Sequence, residues 1–147
     1  MTAVFVANVA ATFFMVGLTW FVQVVHYPLF DAVGQGDFAE YHRLHSKRTT
    51  WVVLPPMAIE LVTSFILLFD PPAGETGLVL AGAALAAMTW LLTAAGAAPA
   101  HGRIGKEGLD PVLLRRLTRI SWIRTLTWSA HGAVLVGLLA AALTGTI

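Results

Sequence analysis

Five histidines, a glutamate at position 60 and an arginine at position 124 carry most of the chemistry this apolar chain can offer. His26 closes the first greasy stretch in "VVHYPLF". His42 and His45 stand three apart in "EYHRLHSKRTT", and His101 follows in "PAHGRI". Arg124 and His131 lie in "IRTLTWSAH", where Arg124, Thr127 and His131 are spaced i, i+3, i+7 and so share a helix face. A neutral imidazole can take a proton from a phenol or an acidic C–H, and a guanidinium can stabilise the oxyanion that results. Ionisable groups inside an apolar span cost about 2.5–3.5 kcal/mol each on insertion scales, so such groups face partners or water.

Each of these residues also has a plainer role. Glu60 with Arg124 can be a self-neutralising structural pair, or Arg124 can reach out to lipid phosphate. His131 can sit neutral against a backbone carbonyl. His26 before Tyr27-Pro28 can simply end a helix, and His42-x-x-His45 without a third ligand is a weak chelation motif. Their shared location is what points to a pocket. Counting 1.5 Å per residue from the basic side puts Glu60 and His131 about half way through their spans, with Arg124 shallower. Glu60 is therefore expected within hydrogen-bonding reach of Arg124 or His131. His42 and His45, on a stripe with Phe38 and Tyr41, are expected to pack against the bundle.

The elements that must hold these residues are legible in the hydropathy. The chain is 147 residues long, 57% hydrophobic and 12% charged, about half the charged fraction of a soluble domain. Four stretches, about 4–25, 51–69, 77–98 and 120–143, reach the roughly 20 apolar residues that cross a bilayer. The expectation is an all-α membrane protein: a single four-transmembrane-helix bundle over 1–147, with short interfacial helices in its two cytoplasmic loops. The first span has no basic leader and no cleavage site, so it is expected to be retained rather than removed as a signal peptide. All nine Lys and Arg residues fall on the side of the 27–50 and 99–119 loops, against Asp70 and Glu75 in the turn opposite. That bias predicts a protein of the inner, cytoplasmic membrane with both termini extracytoplasmic and the histidine side inside. In the loops, Asp37 with Glu40 reads as a capping box, and Asp110 followed by Pro111 as a helix start. Pro55-Pro56 sits one turn before Glu60 and predicts a kink that widens the bundle or adjusts its packing.

"GAAPAHGRI" followed by "LTRISWIRTLTW" resembles a bacterial and fungal family of small four-span membrane proteins that includes the anthrone oxygenases. That family shows a proline-led polar motif after the third span and a Trp/Asn-x-x-Arg-Thr motif opening the fourth. Pro99 and His101 match the first motif and Arg124-Thr125 the second, while "HYPLF" and "PPM" fit the layout. The family's usual asparagines are replaced here by His101 and Ser121. The resemblance implies oxygen chemistry without a cofactor on a phenolic or quinone-like apolar molecule that forms a carbanion. His26, His42, His45, Glu60, His101, Arg124 and His131 are the candidate catalytic residues, with His as base and Arg as oxyanion stabiliser.

A second reading makes His26, His42, His45 and His101 ligands of copper, iron or zinc, or two of them ligands of a haem. Glu60 alone among the spans' carboxylates argues against a di-iron centre. A third makes the chain an accessory or lipid-binding subunit whose basic face meets anionic lipid. Transport is disfavoured, because the polar residues noted here occupy half the membrane depth. Expected partners are an apolar small molecule and membrane lipids, not nucleic acid; a homo-oligomer is compatible.

Overall fold

The computed structural model describes residues 1–144; the last three positions of the expected 1–147 domain, 145–147, lie outside the described residues. All regular structure among the described residues is helical. α1 (Thr2–Phe21) runs into a π-helical turn at Val22–His26 and a 3-10 turn at Pro28–Ala32. α2 (Gln35–Ile66) returns, and a tight turn leads to α3 (Thr76–Leu92). A second π-helical turn, Thr93–Ala97, joins α3 to α4 (Ala98–Glu107), and α5 (Pro111–Thr144) completes the chain. α1, α2, α3 and α5 form a ring in which each packs on its two neighbours, and α4 lies across α2 and α5.

Four helical runs, Thr2–Ala32, Gln35–Phe69, Thr76–Glu107 and Pro111–Thr144, are long and apolar enough to cross a membrane. Their outer surface is greasy: Phe14, Phe21, Val62, Phe65, Leu91 and Leu126 are exposed, whereas Asn8, Thr12, Glu60, Thr89, Thr125 and His131 are buried. In water that arrangement would expose too much hydrocarbon, whereas in lipid it is the stable one, since helix contacts there rest on small and hydrogen-bonding side chains. The inside is layered. Phe5, Leu67, Val79, Leu135 and Leu138 fill the end near the termini, and Met15, Met57 and Trp128 the middle. Tyr27, Phe30, Phe38, Ile104, Leu113 and Leu117 fill the end with the long loops.

Those loops contain no separate helices of the kind expected. Residues 35–50 are the first half of α2, and residues 111–119 the first turns of α5, so each span simply continues beyond its apolar part. α2 even runs through Pro55-Pro56 without a break in its assignment. The reason is local. Neither junction holds a glycine, and both first halves bury an apolar stripe, Phe38 in one, Leu113 and Leu117 in the other. The capping box at Asp37 is also corrected: Gly34 precedes the helix, Asp37 lies in its first turn, and Glu40 pairs with Arg43 instead. Asp110 does cap α5, its Oδ1 accepting from the amides of Val112 (2.6 Å) and Leu113 (3.3 Å) with Pro111 as first residue. At the opposite end, Ala73 and Gly74 both take positive φ (52° and 73°) to turn the chain between α2 and α3.

Candidate functional site

The two π-helical turns fall at the same end of the bundle, and the side chains that follow them meet. A π turn places one extra residue in the helix and is found mostly at functional sites. The first delivers His26 and Tyr27, the second His101 on the first turn of α4, and α2 brings His42 and His45 from the other side. His26 Nε2 lies 2.8 Å from His45 Nδ1, and His42 Nε2 lies 3.1 Å from His101 Nδ1. His101 Nε2 is 3.2 Å from the Tyr27 hydroxyl. Phe30, fully buried, is the hub they pack on, its ring centroid 5.2 Å from His26 and 5.3 Å from His45. His42 also stacks on Phe38, at 5.8 Å and 23°. His42 is buried as its stripe predicts, and His45 is partly buried.

An imidazole–imidazole hydrogen bond needs a lone pair on one nitrogen, so at least one ring in each of the two pairs is neutral. His42 Nδ1 is buried with no hydrogen-bond partner. The four rings thus form a site that can accept, hold and pass a proton. As they stand, no group of three or more His, Asp or Glu side chains among the described residues is arranged to hold a metal ion. The nitrogens are turned on each other in pairs instead of converging on one point.

Below the rings is a cavity of about 800 Å³. His42, His45, His101 and Tyr27 border it, Met15, Leu18, Val22 and Val53 give it apolar walls, and Ser121 and Arg124 line it from α5. Arg124 is 8% exposed, and its Nε has no hydrogen-bond partner. Its guanidinium carbon sits 5.0 Å from the centre of the Trp128 ring, a cation–π contact.

Glu60 and His131 belong elsewhere. Glu60 Oε1 is 2.7 Å from His131 Nδ1 and accepts from Thr12 Oγ1 at 3.2 Å, while Oε2 accepts from Trp128 Nε1 at 2.8 Å. Asn8 Nδ2 completes this second cluster with bonds of 2.8 Å to Thr63 Oγ1, 2.8 Å to Ser64 Oγ and 3.0 Å to the Glu60 carbonyl. Neither Glu60 nor His131 lines the 800 Å³ cavity. Of the expected partners Glu60 meets His131, and the structural Glu60–Arg124 pair does not form. Thr127, read onto the inner face with Arg124, is only partly buried and bonds back to the Ile123 carbonyl; Trp128 holds the inward position.

Seven residues were expected at one site. His26, His42, His45, His101 and Arg124 are brought together, and Glu60 and His131 are set apart. Tyr27, Ser121, Trp128, Asn8 and Thr12 were missed. Asn8 had a visible signal, as the one side-chain amide deep in the first apolar span. Trp128 had a weaker one, lying four residues after Arg124 and three before His131. The polar residues near the termini also extend the buried polar network beyond the half of the bundle to which the sequence confined it. No known protein family, curated protein or solved structure matches this chain.

Proposed function

We propose that this chain is an integral membrane oxidoreductase of the oxygenase type, acting on an apolar phenolic or quinone-like molecule in the 800 Å³ cavity. The observation that carries the reading is the buried Arg124, which shares an otherwise largely apolar cavity with His101 and His42. A histidine takes the proton from an activated C–H or phenol, and Arg124 stabilises the oxyanion form of the carbanion in a low-dielectric setting. The electron-rich anion then reacts with dioxygen. For an activated methylene the balance is CH2 + O2 → C=O + H2O: carbon loses four electrons, one oxygen atom enters the carbonyl, and the other leaves as water. The one-sided basic residues support an inner-membrane protein with both termini outside and this cavity on the cytoplasmic side.

The test is oxygen uptake with anthrone in detergent micelles, measured against a protein-free blank that corrects for autoxidation. Wild type should exceed the blank, and Arg124→Met and His101→Gln should each lose at least about 10-fold of the excess. Rates equal to the blank for wild type, or unaffected by both substitutions, refute this assignment.

The second reading makes His26, His42, His45 and His101 metal or haem ligands. It is favoured by the close packing of four rings, with centroids 4.5 Å apart for His26–His45 and 5.3 Å for His42–His101. It requires the rings of each pair to turn apart before three donors converge. Metal analysis and a visible spectrum of the purified protein separate the two readings: stoichiometric metal or a Soret band selects the second.

A further inference from the structure

We infer that the Arg124 end of the cavity is an anion subsite. Its ligand is an amphipathic acid, with a carboxylate or phenolate on Arg124 and a flat apolar body along Met15, Leu18 and Val53. Glu60 is the positioning residue that acts through Trp128. The inference rests on the reading of the cavity as a small-molecule site, and deepens it by naming what the molecule must carry.

The first ground is a missing counter-ion. The ion pairs among the described residues are Arg43–Glu40, Arg103–Glu107 and His131–Glu60, so Arg124 has none. The one acidic side chain bordering the cavity is Glu40, and Arg43 holds both its oxygens, at 2.7 and 2.6 Å. Glu60 is saturated by His131, Trp128 and Thr12. A buried guanidinium with no carboxylate is an expensive arrangement that an incoming anion relieves. Its Nε is buried and unbonded, and the Ser121 and Tyr27 hydroxyls border the same space as further donors.

The second ground is how the guanidinium is held. Trp128 is fully buried, its edge bonded to a Glu60 oxygen at 2.8 Å and its face 5.0 Å from the Arg124 guanidinium. A carboxylate on the indole N–H fixes the plane of the ring and enriches its π face, which strengthens the cation's seat. The guanidinium is thereby steadied by a group that uses none of its five N–H donors, which stay available to a ligand. His131 and Thr12 lock Glu60 in turn.

The experiment is calorimetric titration of the whole protein in dodecyl maltoside with 2-naphthoate, 2-naphthol and naphthalene-2-carboxamide. An acid head should bind about 10- to 100-fold more tightly than the amide, the usual gain of a charge-assisted hydrogen bond. Whichever of naphthoate and naphthol shows that gain names the head group, and neither showing it overturns the proposal. Arg124→Met should erase the preference, and Arg124→Lys should keep part of it. Arg124→Met should also melt no lower than wild type, since it removes an unpaired charge; a large drop would make the guanidinium structural and overturn the subsite. Glu60→Gln should weaken naphthoate several-fold and leave the amide unchanged, and equal weakening of both removes the positioning role. Binding of phosphatidylglycerol with no acid preference among the naphthalenes would assign Arg124 to lipid and overturn the inference. Naphthoate is only a binding probe, so these outcomes stand whether or not anthrone turnover is observed.

Discussion

Replacing Glu60 by alanine orphans three buried groups at once: the Trp128 indole N–H, His131 Nδ1 and the Thr12 hydroxyl, now 2.8, 2.7 and 3.2 Å from its oxygens. An orphaned buried polar group costs about 1–3 kcal/mol, which would sum to roughly 3–9 kcal/mol if nothing relaxed. Two effects reduce the total. The carboxylate's own desolvation penalty disappears with it, and a water can occupy the vacated volume. The expected loss is about 3–5 kcal/mol, the range measured when one partner of a buried pair is removed. Glu60→Gln behaves differently. Its amide oxygen can still accept from Trp128, and its amino group can face His131 Nδ1 once the imidazole adopts the tautomer with a lone pair there, for a cost of about 1–2 kcal/mol. Reversible unfolding of the three proteins in mixed micelles by SDS titration measures both numbers. An alanine variant within about 1 kcal/mol of wild type would show that the cluster does not hold the helices together. A glutamine variant as damaged as alanine would show that charge, not hydrogen-bonding shape, is what the site requires.

Three further outcomes follow from the packing. A Cβ on Gly96 would meet Ile120 Cγ2 at 2.9 Å, so Gly96→Ala should cost about 1–3 kcal/mol, with partial recovery in Gly96→Ala/Ile120→Ala; recovery absent from the same SDS titration refutes that contact. Asn8→Ala removes the donor that ties α1 to Thr63, Ser64 and the Glu60 carbonyl, and should cost about 1–3 kcal/mol by the same assay. Ala73→Cys, in the exposed turn between α2 and α3, should react with a membrane-impermeant maleimide in cells whose inner membrane is intact; reaction only after permeabilisation reverses the proposed orientation.

Much of the bundle could be read directly from hydropathy. Four apolar stretches became α1, α3 and the apolar halves of α2 and α5, because a run of about 20 apolar residues has few stable alternatives. The helix ends were harder to read. Polar residues 35–50 looked like a loop with its own helix, but a buried Phe38–His42 stripe carries α2 straight through them. The histidines were assigned to one neighbourhood because they share one side in the topology, a coarse property that survives errors in rotation. The pairing of Glu60 depended on rotation itself. Arg124 and His131 are seven residues apart on nearly the same face, and a tryptophan between them decided which one Glu60 could reach. A tryptophan in an apolar span attracts no notice as chemistry, so Trp128 stayed invisible until its two contacts were seen.

The two π-helical turns at Val22–His26 and Thr93–Ala97 give the chain a form of gearing. Each residue advances a helix by about 100°, so one extra residue absorbed in a wide turn rotates everything beyond it by that step. Deleting one residue from Val22–Val25 would let α1 close to a regular helix, swinging His26 and Tyr27 off the cavity while Asn8, Thr12 and Met15 keep their seats. The same operation on Ala94 or Ala95 would turn His101 away and leave the α3–α5 contact below it intact. Helix packing and site geometry are thus indexed separately along the same two helices, and the imidazoles can be re-aimed without redrawing the bundle that carries them.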